Sequence, residues 1–384
     1  MSIFIYKVFI RLFITFILSL ILTPLIKLLA FRIGAYDEPG ERRVNTKIMP
    51  TAGGLAIFFA FTFSCLFLFH SIIPLRYITP ILSAGGIVIV TGLIDDIKEL
   101  EPLPKTVGIL LAALVIYFLL PDIRIEFITL PIFHYVDLHL FSLPLTVLWI
   151  FAITNAINLI DGLDGLASGV SIIGLTTIGL IGYFFLNAKT SYVPIVIFIL
   201  VASIAGFFPY NFYPAKLFLG DTGALFLGFM IAVMSLQGLK NATFITLITP
   251  LIILGVPMTD TIYAIIRRLL NKQPIASADR MHLHHRLLSL GFTHKGAVMT
   301  IYGLALVFSF VALLFSYASH IASVLLIIAC LFGLELFIEL IGLVGENHQP
   351  LMYILKLFGN RDFRHQQLEL HSGKHTEKKQ NKKR

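Results

Sequence analysis

The sequence predicts an all-α membrane protein, a polytopic bundle of about eleven transmembrane helices with its N-terminus outside and its C-terminus in the cytoplasm. Three observations predict it. Of the 384 residues, 57% are hydrophobic and only 13% charged, where a soluble domain carries about 25% charged residues. The mean hydropathy is +0.90. The apolar residues also fall into runs close to the roughly 20 residues that a helix needs to cross a bilayer. No soluble core has room for so much apolar surface, and lipid is the solvent that accommodates it.

Taken in order, the runs lie near 3–30, 51–69, 78–94, 105–120, 143–157, 166–186, 193–208, 222–237, 243–266, 297–316 and 321–344. The first is too long for the apolar core of a signal peptide and has no small-residue cleavage site, so it reads as a retained helix. The fifth and seventh are short, which draws polar residues at their ends into the bundle. No internal repeat is visible. An odd number of crossings puts the termini on opposite sides. One set of loops carries Lys27, Arg32, Arg42, Arg43, Lys47, Lys98, Lys105, Lys216, the basic cluster from Arg267 to Lys295, and the tail. The other set carries Lys7, Arg11, Arg76, Arg124, Lys189 and Lys240. The positive-inside rule makes the first set cytoplasmic.

Two parts are expected, a transmembrane catalytic domain over 1–350 and a basic cytoplasmic tail over 351–384. The tail ends KHTEKKQNKKR, a solvated end or a contact for anionic headgroups of membrane lipids. It supplies much of the net charge of +8, which therefore does not point to nucleic acid. Cys65 and Cys330 sit in separate apolar runs with no metal-type neighbours, which speaks against a disulfide or a zinc site. The outer segment 121–140 alternates polar and apolar residues and predicts a small hairpin. Its His134, Asp137 and His139 read as scattered surface groups rather than metal ligands.

Nearly every carboxylate near a helix end (Asp95, Asp96, Glu99, Asp161, Asp164 and Asp221) falls on the side the basic residues mark as cytoplasmic. Ionisable groups at membrane depth are costly, so each is a functional candidate. In GLIDDIKELEPLPK, Asp95 and Asp96 end an apolar helix. Adjacent carboxylates repel unless they share a cation or a proton; a solvated helix end is the alternative. Lys105 then either holds a phosphate as a point charge or marks the inner membrane surface. In NAINLIDGLDGLASG, Asn155, Asn158, Asp161 and Asp164 recur every three residues, which on a helix keeps neighbours near one face. All four are oxygen donors of the kind hard cations prefer.

In NFYPAKLFLGDTGAL, Asp221 stands between Gly220 and Gly223 just before an apolar helix. It either caps that helix or binds Mg²⁺ with positions open to phosphate oxygens. Phe218 is placed to stack on a base, or is an ordinary interfacial aromatic. In ADRMHLHHRLL, Arg280, His282, His284 and His285 suit the clamping of a diphosphate better than a zinc site. The first inner loop adds Lys47 and the pair Gly53–Gly54. No Gly-x-x-x-x-Gly-Lys-Ser/Thr loop is present, which excludes a nucleoside triphosphatase of that kind.

Together, DD at 95–96, NAINLIDGLDG at 155–165, AKLFLGDTG at 215–223 and HLHH at 282–285 resemble the polyprenyl-phosphate N-acetylhexosamine-1-phosphate transferases, bacterial glycosyltransferase family 4, over about residues 30–295. HLHH resembles the branch that uses UDP-N-acetylglucosamine for O-antigen, enterobacterial common antigen or wall teichoic acid. It is less similar to the muramoyl-pentapeptide branch. The family's DDxxD pattern departs here to Glu99.

The resemblance implies Mg²⁺ as cofactor, with Mn²⁺ as the alternative, held by Asp221 and Asp96. It implies Asp95 and Asp96 beside the lipid phosphate, with Asp95 as base, and Lys105 as a phosphate binder. Asn158, Asp161, Asp164 and Phe218 would shape the nucleotide pocket, and Asn211 matches a further active-site position; Lys47 and Asn155 join them as substrate-binding candidates from their own loop and stripe. Arg280 and His282 to His285 would close over the sugar diphosphate. The implied partners are UDP-N-acetylglucosamine, undecaprenyl phosphate, membrane lipids and a second copy of the chain. The implied location is the bacterial inner membrane, with the site on its cytoplasmic face. Two other classes compete. A CDP-alcohol phosphatidyltransferase wants an Arg that DGLDGLASG lacks, and a transporter would use Glu335 and Glu339 in the last span.

Overall fold

The computed structural model describes residues 2–38, 47–130, 134–185, 192–237, 244–270, 272, 282–342, 351 and 353. Helices follow one another through them: α1 (Ser2–Ile33), α2 (Gly54–Phe63, prolonged by a π turn over Ser64–Leu68), α3 (Leu75–Lys98), α4 (Pro102–Leu119), α5 (Ser142–Ile160), α6 (Leu166–Phe185) and α7 (Tyr192–Asn211). Then come α8 (Gly220–Leu236), α9 (Phe244–Ile253), α10 (Gly255–Leu270), α11 (Leu283–Ser289), α12 (His294–Tyr317) and α13 (His320–Ile341). The fold is all-α, as the composition requires. Among the described residues, eight helices (α1, α3 to α7, α12 and α13) are long and apolar enough to cross a membrane, and α2 with its π turn and α8 are shorter apolar helices.

The single span expected over 243–266 is instead two helices, α9 and α10. They part at Leu254, between Pro250 and Pro257. Proline removes an amide donor and clashes with the preceding turn, yet is tolerated in the first turn of a helix. A break followed by a fresh start over Pro257 satisfies both conditions.

Helix α8 is the axis of the bundle. Every residue from Thr222 to Leu236 is buried, as a helix apolar on all sides must be. Helices α3 and α5 run along it, with α2 and α6 completing the sheath. At one end Trp149 Nε1 donates to Ser235 Oγ at 3.0 Å, tying α5 to α8. At the other, α3 meets the α8 backbone directly. A Cβ on Gly92 would lie 2.5 Å from Thr222 Cα, so only glycine permits the contact. That approach delivers Asp95 and Asp96, one turn further on, to the start of α8. Helix α1 packs on α7, where Ser19 Oγ donates to the Ser203 carbonyl at 2.6 Å. The outward faces of α1 and α13 expose Phe13, Ile21, Ile321, Leu325 and Ile328, the surface a bilayer covers.

Two short ladders complete the structure. Strand β1 (Tyr36–Asp37) pairs antiparallel with β2 (Met49–Pro50), Tyr36 opposite Pro50. Strand β3 (Phe127–Leu130) pairs antiparallel with β4 (His134–Asp137), Phe127 opposite Asp137. The second is the hairpin expected between α4 and α5. Asp137 Oδ1 accepts from the His139 amide at 3.0 Å, and the His139 ring is 81% exposed. Among the described residues no group of three His, Cys, Asp or Glu side chains comes together as a metal cage. Cys65 is buried, Cys330 half-buried, and both are free thiols. Apart from Leu351 and Tyr353, the basic tail lies outside the described residues.

Candidate active site

Four helix ends converge at the start of α8. The C-terminal turn of α3 brings Asp95 and Asp96, the first turns of α4 bring Lys105, the last turn of α5 brings Asn158, and α8 itself brings Asp221. The Lys105 ammonium lies 2.9 Å from Asp95 Oδ2 and 2.9 Å from Asp221 Oδ2. Asn158 Nδ2 donates to Asp221 Oδ1. Asp95 has little freedom beyond this, since its Oδ1 accepts from the Leu100 amide at 2.7 Å. Glu99, the departure from the DDxxD pattern, is exposed in the left-handed residue that ends α3.

Asp96 caps α8 from another helix. Its Oδ1 accepts from the Asp221 amide at 2.8 Å, and its Oδ2 from the Thr222 amide at 3.1 Å and the Thr222 hydroxyl at 2.5 Å. A helix start leaves its first amides without partners, and Asp96 supplies those partners to α8 from α3. Gly220 makes the turn possible: its φ is +71°, and a Cβ there would lie 2.5 Å from Asp96 Oδ2. Of the two sequence-level readings of Asp221, the helix cap therefore belongs to Asp96. Three of the roughly four acceptor sites of a carboxylate are then used.

The three-residue stripe does not stay on one helix. Helix α5 stops at Ile160 and Asp161 is its C-cap. Asp164 lies in the following turn, where its Oδ2 accepts from the Ala215 amide at 2.9 Å and its own amide donates to His294 Nε2 at 3.0 Å. The Asn155 side chain turns back to the Phe151 carbonyl at 2.8 Å. Asp161 keeps its carboxylate towards the cluster. Burial first, then Asp221, Asp96 and Asp164, push it well above the usual carboxylate range. Like charges gathered with one lysine among them are an environment that a cation relieves.

The other expected residues hold the frame. Asn211 is buried, accepts from Ser168 Oγ at 2.6 Å and donates to the Leu217 carbonyl at 3.2 Å, which fixes the loop before α8. The Phe218 amide donates to Pro50 O at 2.9 Å and its carbonyl accepts from the Gly53 amide at 3.1 Å, strapping that loop to the entry of α2. The Phe218 ring is half-buried, and Lys47 is exposed just before the strap. Arg280 lies outside the described residues.

The HLHH segment opens α11. His282 and Leu283 bind Asp260 of α10, through ring Nδ1 at 2.8 Å and the backbone amide at 2.7 Å. His284 is buried, its ring packed on the backbone of Gly162, where a Cβ would come within 2.2 Å of Nε2. Burial, and next the neighbouring His285, push His284 down to about 3. It is neutral at neutral pH and offers hydrogen bonding rather than the positive charge expected of a clamp. Arg286 Nε donates to the Ile341 carbonyl at 2.5 Å, at the end of α13. The acids a transporter would use are bonded to the protein: Glu335 accepts from the Tyr263 hydroxyl, and Glu339 Oε1 from the Leu351 amide at 2.7 Å.

Sequence reasoning missed Thr222 and Asp260. A lone carboxylate inside an apolar run was the available signal for Asp260; nothing local marks Thr222, whose partner is 126 residues away.

Residues 78–239 match the model of glycosyl transferase family 4. The chain is 40% identical to a Bacillus subtilis protein described as a probable undecaprenyl-phosphate N-acetylglucosaminyl 1-phosphate transferase, over 92% of this chain and 98% of that one. It is 32% identical to the decaprenyl-phosphate N-acetylglucosaminephosphotransferase of Mycolicibacterium smegmatis, over 74% and 76%. A phospho-N-acetylmuramoyl-pentapeptide-transferase of Staphylococcus epidermidis is 35% identical over 61% of this chain and 76% of its own.

Proposed function

We propose that this chain, which belongs to glycosyl transferase family 4, transfers N-acetylglucosamine 1-phosphate from UDP-N-acetylglucosamine to undecaprenyl phosphate and releases UMP, beginning a cell-envelope glycan. It is a multi-pass membrane phosphoglycosyl transferase. The observation that carries the mechanism is the Lys105 ammonium held between Asp95 and Asp221, with Asn158 on the far side of Asp221.

The reaction joins two anions. An oxygen of the lipid phosphate forms a bond to the sugar-bearing phosphorus of the donor, the bond from that phosphorus to the bridging oxygen breaks, and UMP leaves with it. Repulsion between unit charges 4 Å apart is about 1 kcal/mol in water and about 4 kcal/mol at an effective dielectric of 20. Lys105 stands where it offsets that repulsion. A phosphate's second pKa is near 6, so the nucleophile is ionised at neutral pH and needs no strong base. We therefore assign Asp95 to holding and orienting Lys105.

Mg²⁺, or Mn²⁺ in its place, fits the donor set. Mg²⁺ takes one or two carboxylates with substrate phosphates and water rather than an all-protein cage, and Asp221 with its neighbour Asp161 offers such an open set. Asp96 contributes through the α8 cap and has one acceptor site to spare. Such an ion would neutralise charge on the diphosphate. Asp164 and Asn211 would hold the walls of the nucleotide pocket, with Phe218 and Asn155 on its rim. Lys47, Arg280 and His285 would meet the phosphates from the loop side. The uneven division of Lys and Arg between the two sets of loops supports a cytoplasmic site in a bacterial inner membrane.

The test is release of labelled UMP by the purified protein in detergent, with polyprenyl phosphate and Mg²⁺, across several UDP-sugars. UMP should appear with UDP-N-acetylglucosamine and only when the lipid is present. Release that ignores the lipid, or a preference for another sugar, contradicts the assignment.

A further inference from the structure

Asp260 is 2% exposed in the broken helix pair of α9 and α10, and none of the roles above uses it. A carboxylate buried in an apolar segment is costly unless charged or polar partners compensate. Both of its partners lie in one short stretch: Oδ2 meets His282 Nδ1 at 2.8 Å, and Oδ1 accepts from the Leu283 amide at 2.7 Å. Asp260 stands in the wall of a cavity of about 330 Å³ lined otherwise chiefly by apolar side chains, among them Val256, Leu283, Phe308 and Phe337.

From this tether the contacts continue towards the carboxylates. The His282 and His284 rings are parallel, 6.1 Å apart. The His284 ring rests on Gly162, beside Asp161, so closely that no side chain fits between them.

We propose that Asp260 is a positioning residue for the transfer: its carboxylate fixes His282 and the first turn of α11, and so sets the HLHH segment against the Asp161–Asp164 loop where the donor diphosphate binds. Asp260 does not touch substrate, since both of its oxygens are engaged and enclosed. The proposal rests on the function proposed above for its kinetic consequence, but the tether itself does not.

The experiment compares Asp260→Ala, Asp260→Asn, His282→Ala and the Asp260→Ala/His282→Ala double variant in the full-length protein. Kinetics are measured against both substrates, with melting temperature and hydrogen–deuterium exchange over 282–289. Asp260→Ala should lower kcat/KM for UDP-N-acetylglucosamine by up to about 100-fold, the cost of a displaced catalytic segment. KM for the polyprenyl phosphate should stay unchanged. The double variant should be no worse than His282→Ala alone, because the two residues act as one unit. Exchange over 282–289 should quicken in Asp260→Ala and recover in part in Asp260→Asn, which keeps an acceptor for the Leu283 amide.

Losses that multiply in the double variant, or wild-type kcat/KM in Asp260→Ala, overturn the proposal. If Asp260→Ala does not fold, Asp260→Asn decides: reduced donor kcat/KM at an unchanged melting temperature supports it, and wild-type kcat/KM overturns it. If the wild-type protein releases no UMP, the proposed function fails instead. Exchange then decides the tether alone, and unchanged exchange in Asp260→Asn and Asp260→Ala overturns it.

Discussion

Lys105 shares its ammonium between Asp95 and Asp221, and at 19% exposure it still reaches the opening of the site. In the proposed reaction a third anion, a phosphate, would meet there a charge already desolvated and aimed. Lys105→Ala should therefore lower kcat/KM by about 100-fold or more, the usual cost of removing a preorganised charge contact. Lys105→Arg should not restore it, since a planar fork does not replace a point charge between two carboxylates. Asp95→Asn should lose turnover yet bind UDP-N-acetylglucosamine with near wild-type affinity by calorimetry, because Asp95 holds the lysine rather than the nucleotide. Loss of binding would contradict that role. The residues that gather at the start of α8 were legible because charge is scarce in an apolar chain: Asp95, Asp96, Lys105, Asp161 and Asp221 stand out by cost alone. Their division of labour was not. That Asp96 caps a helix and Asp164 grips Ala215 depends on contacts 126 and 51 residues apart.

Helices decide where these groups meet. Because α8 starts inside the bundle, its first amides depend on Asp96 of α3. Asp96→Ala should cost about 1–2 kcal/mol, the price of a lost helix cap, read as a lower melting temperature along with lost activity. An unchanged melting temperature would remove Asp96 from that role. His284 gives a second signature. Its folded pKa of about 3 lies below the 6.5 of the free side chain. The unfolded chain therefore takes up the proton first as pH falls, so stability present above about pH 6.5 is lost below it. Between pH 7 and 5 the wild-type protein should lose about 2 kcal/mol more than His284→Gln. Parallel melting curves for the two would contradict a buried neutral ring. The break between α9 and α10 was present in the sequence as Pro250 and Pro257, but the apolar run across them masked it. The end of α5 at Ile160 was hidden by a three-residue spacing that suits a helix as well as the turn actually formed.

At the scale of the molecule, the architecture follows from solvent: apolar outer faces on α1 and α13, and an α8 buried from Thr222 onwards whose polar start collects the ends of its neighbours. Helix α4 runs from Lys105 at the site to the hairpin β3–β4, so the hairpin and the site lie at opposite ends of the bundle. In a Cys65→Ser/Cys330→Ser background, a cysteine at Asp137 should react with an impermeant maleimide on intact cells. A cysteine at Glu99 should react only after permeabilisation. The reverse pattern would invert the orientation proposed from basic residues. Composition alone made the membrane-helix class legible, since that depends on totals and not on contacts.

The most direct test of the account is UMP release by wild-type protein and Asp221→Asn across a Mg²⁺ titration, with polyprenyl phosphate present and both proteins shown folded by melting. Wild type should turn over with a saturable Mg²⁺ dependence, and Asp221→Asn should remain inactive at every concentration. Wild-type turnover in Asp221→Asn would contradict the claim that the start of α8 is where the two phosphates meet.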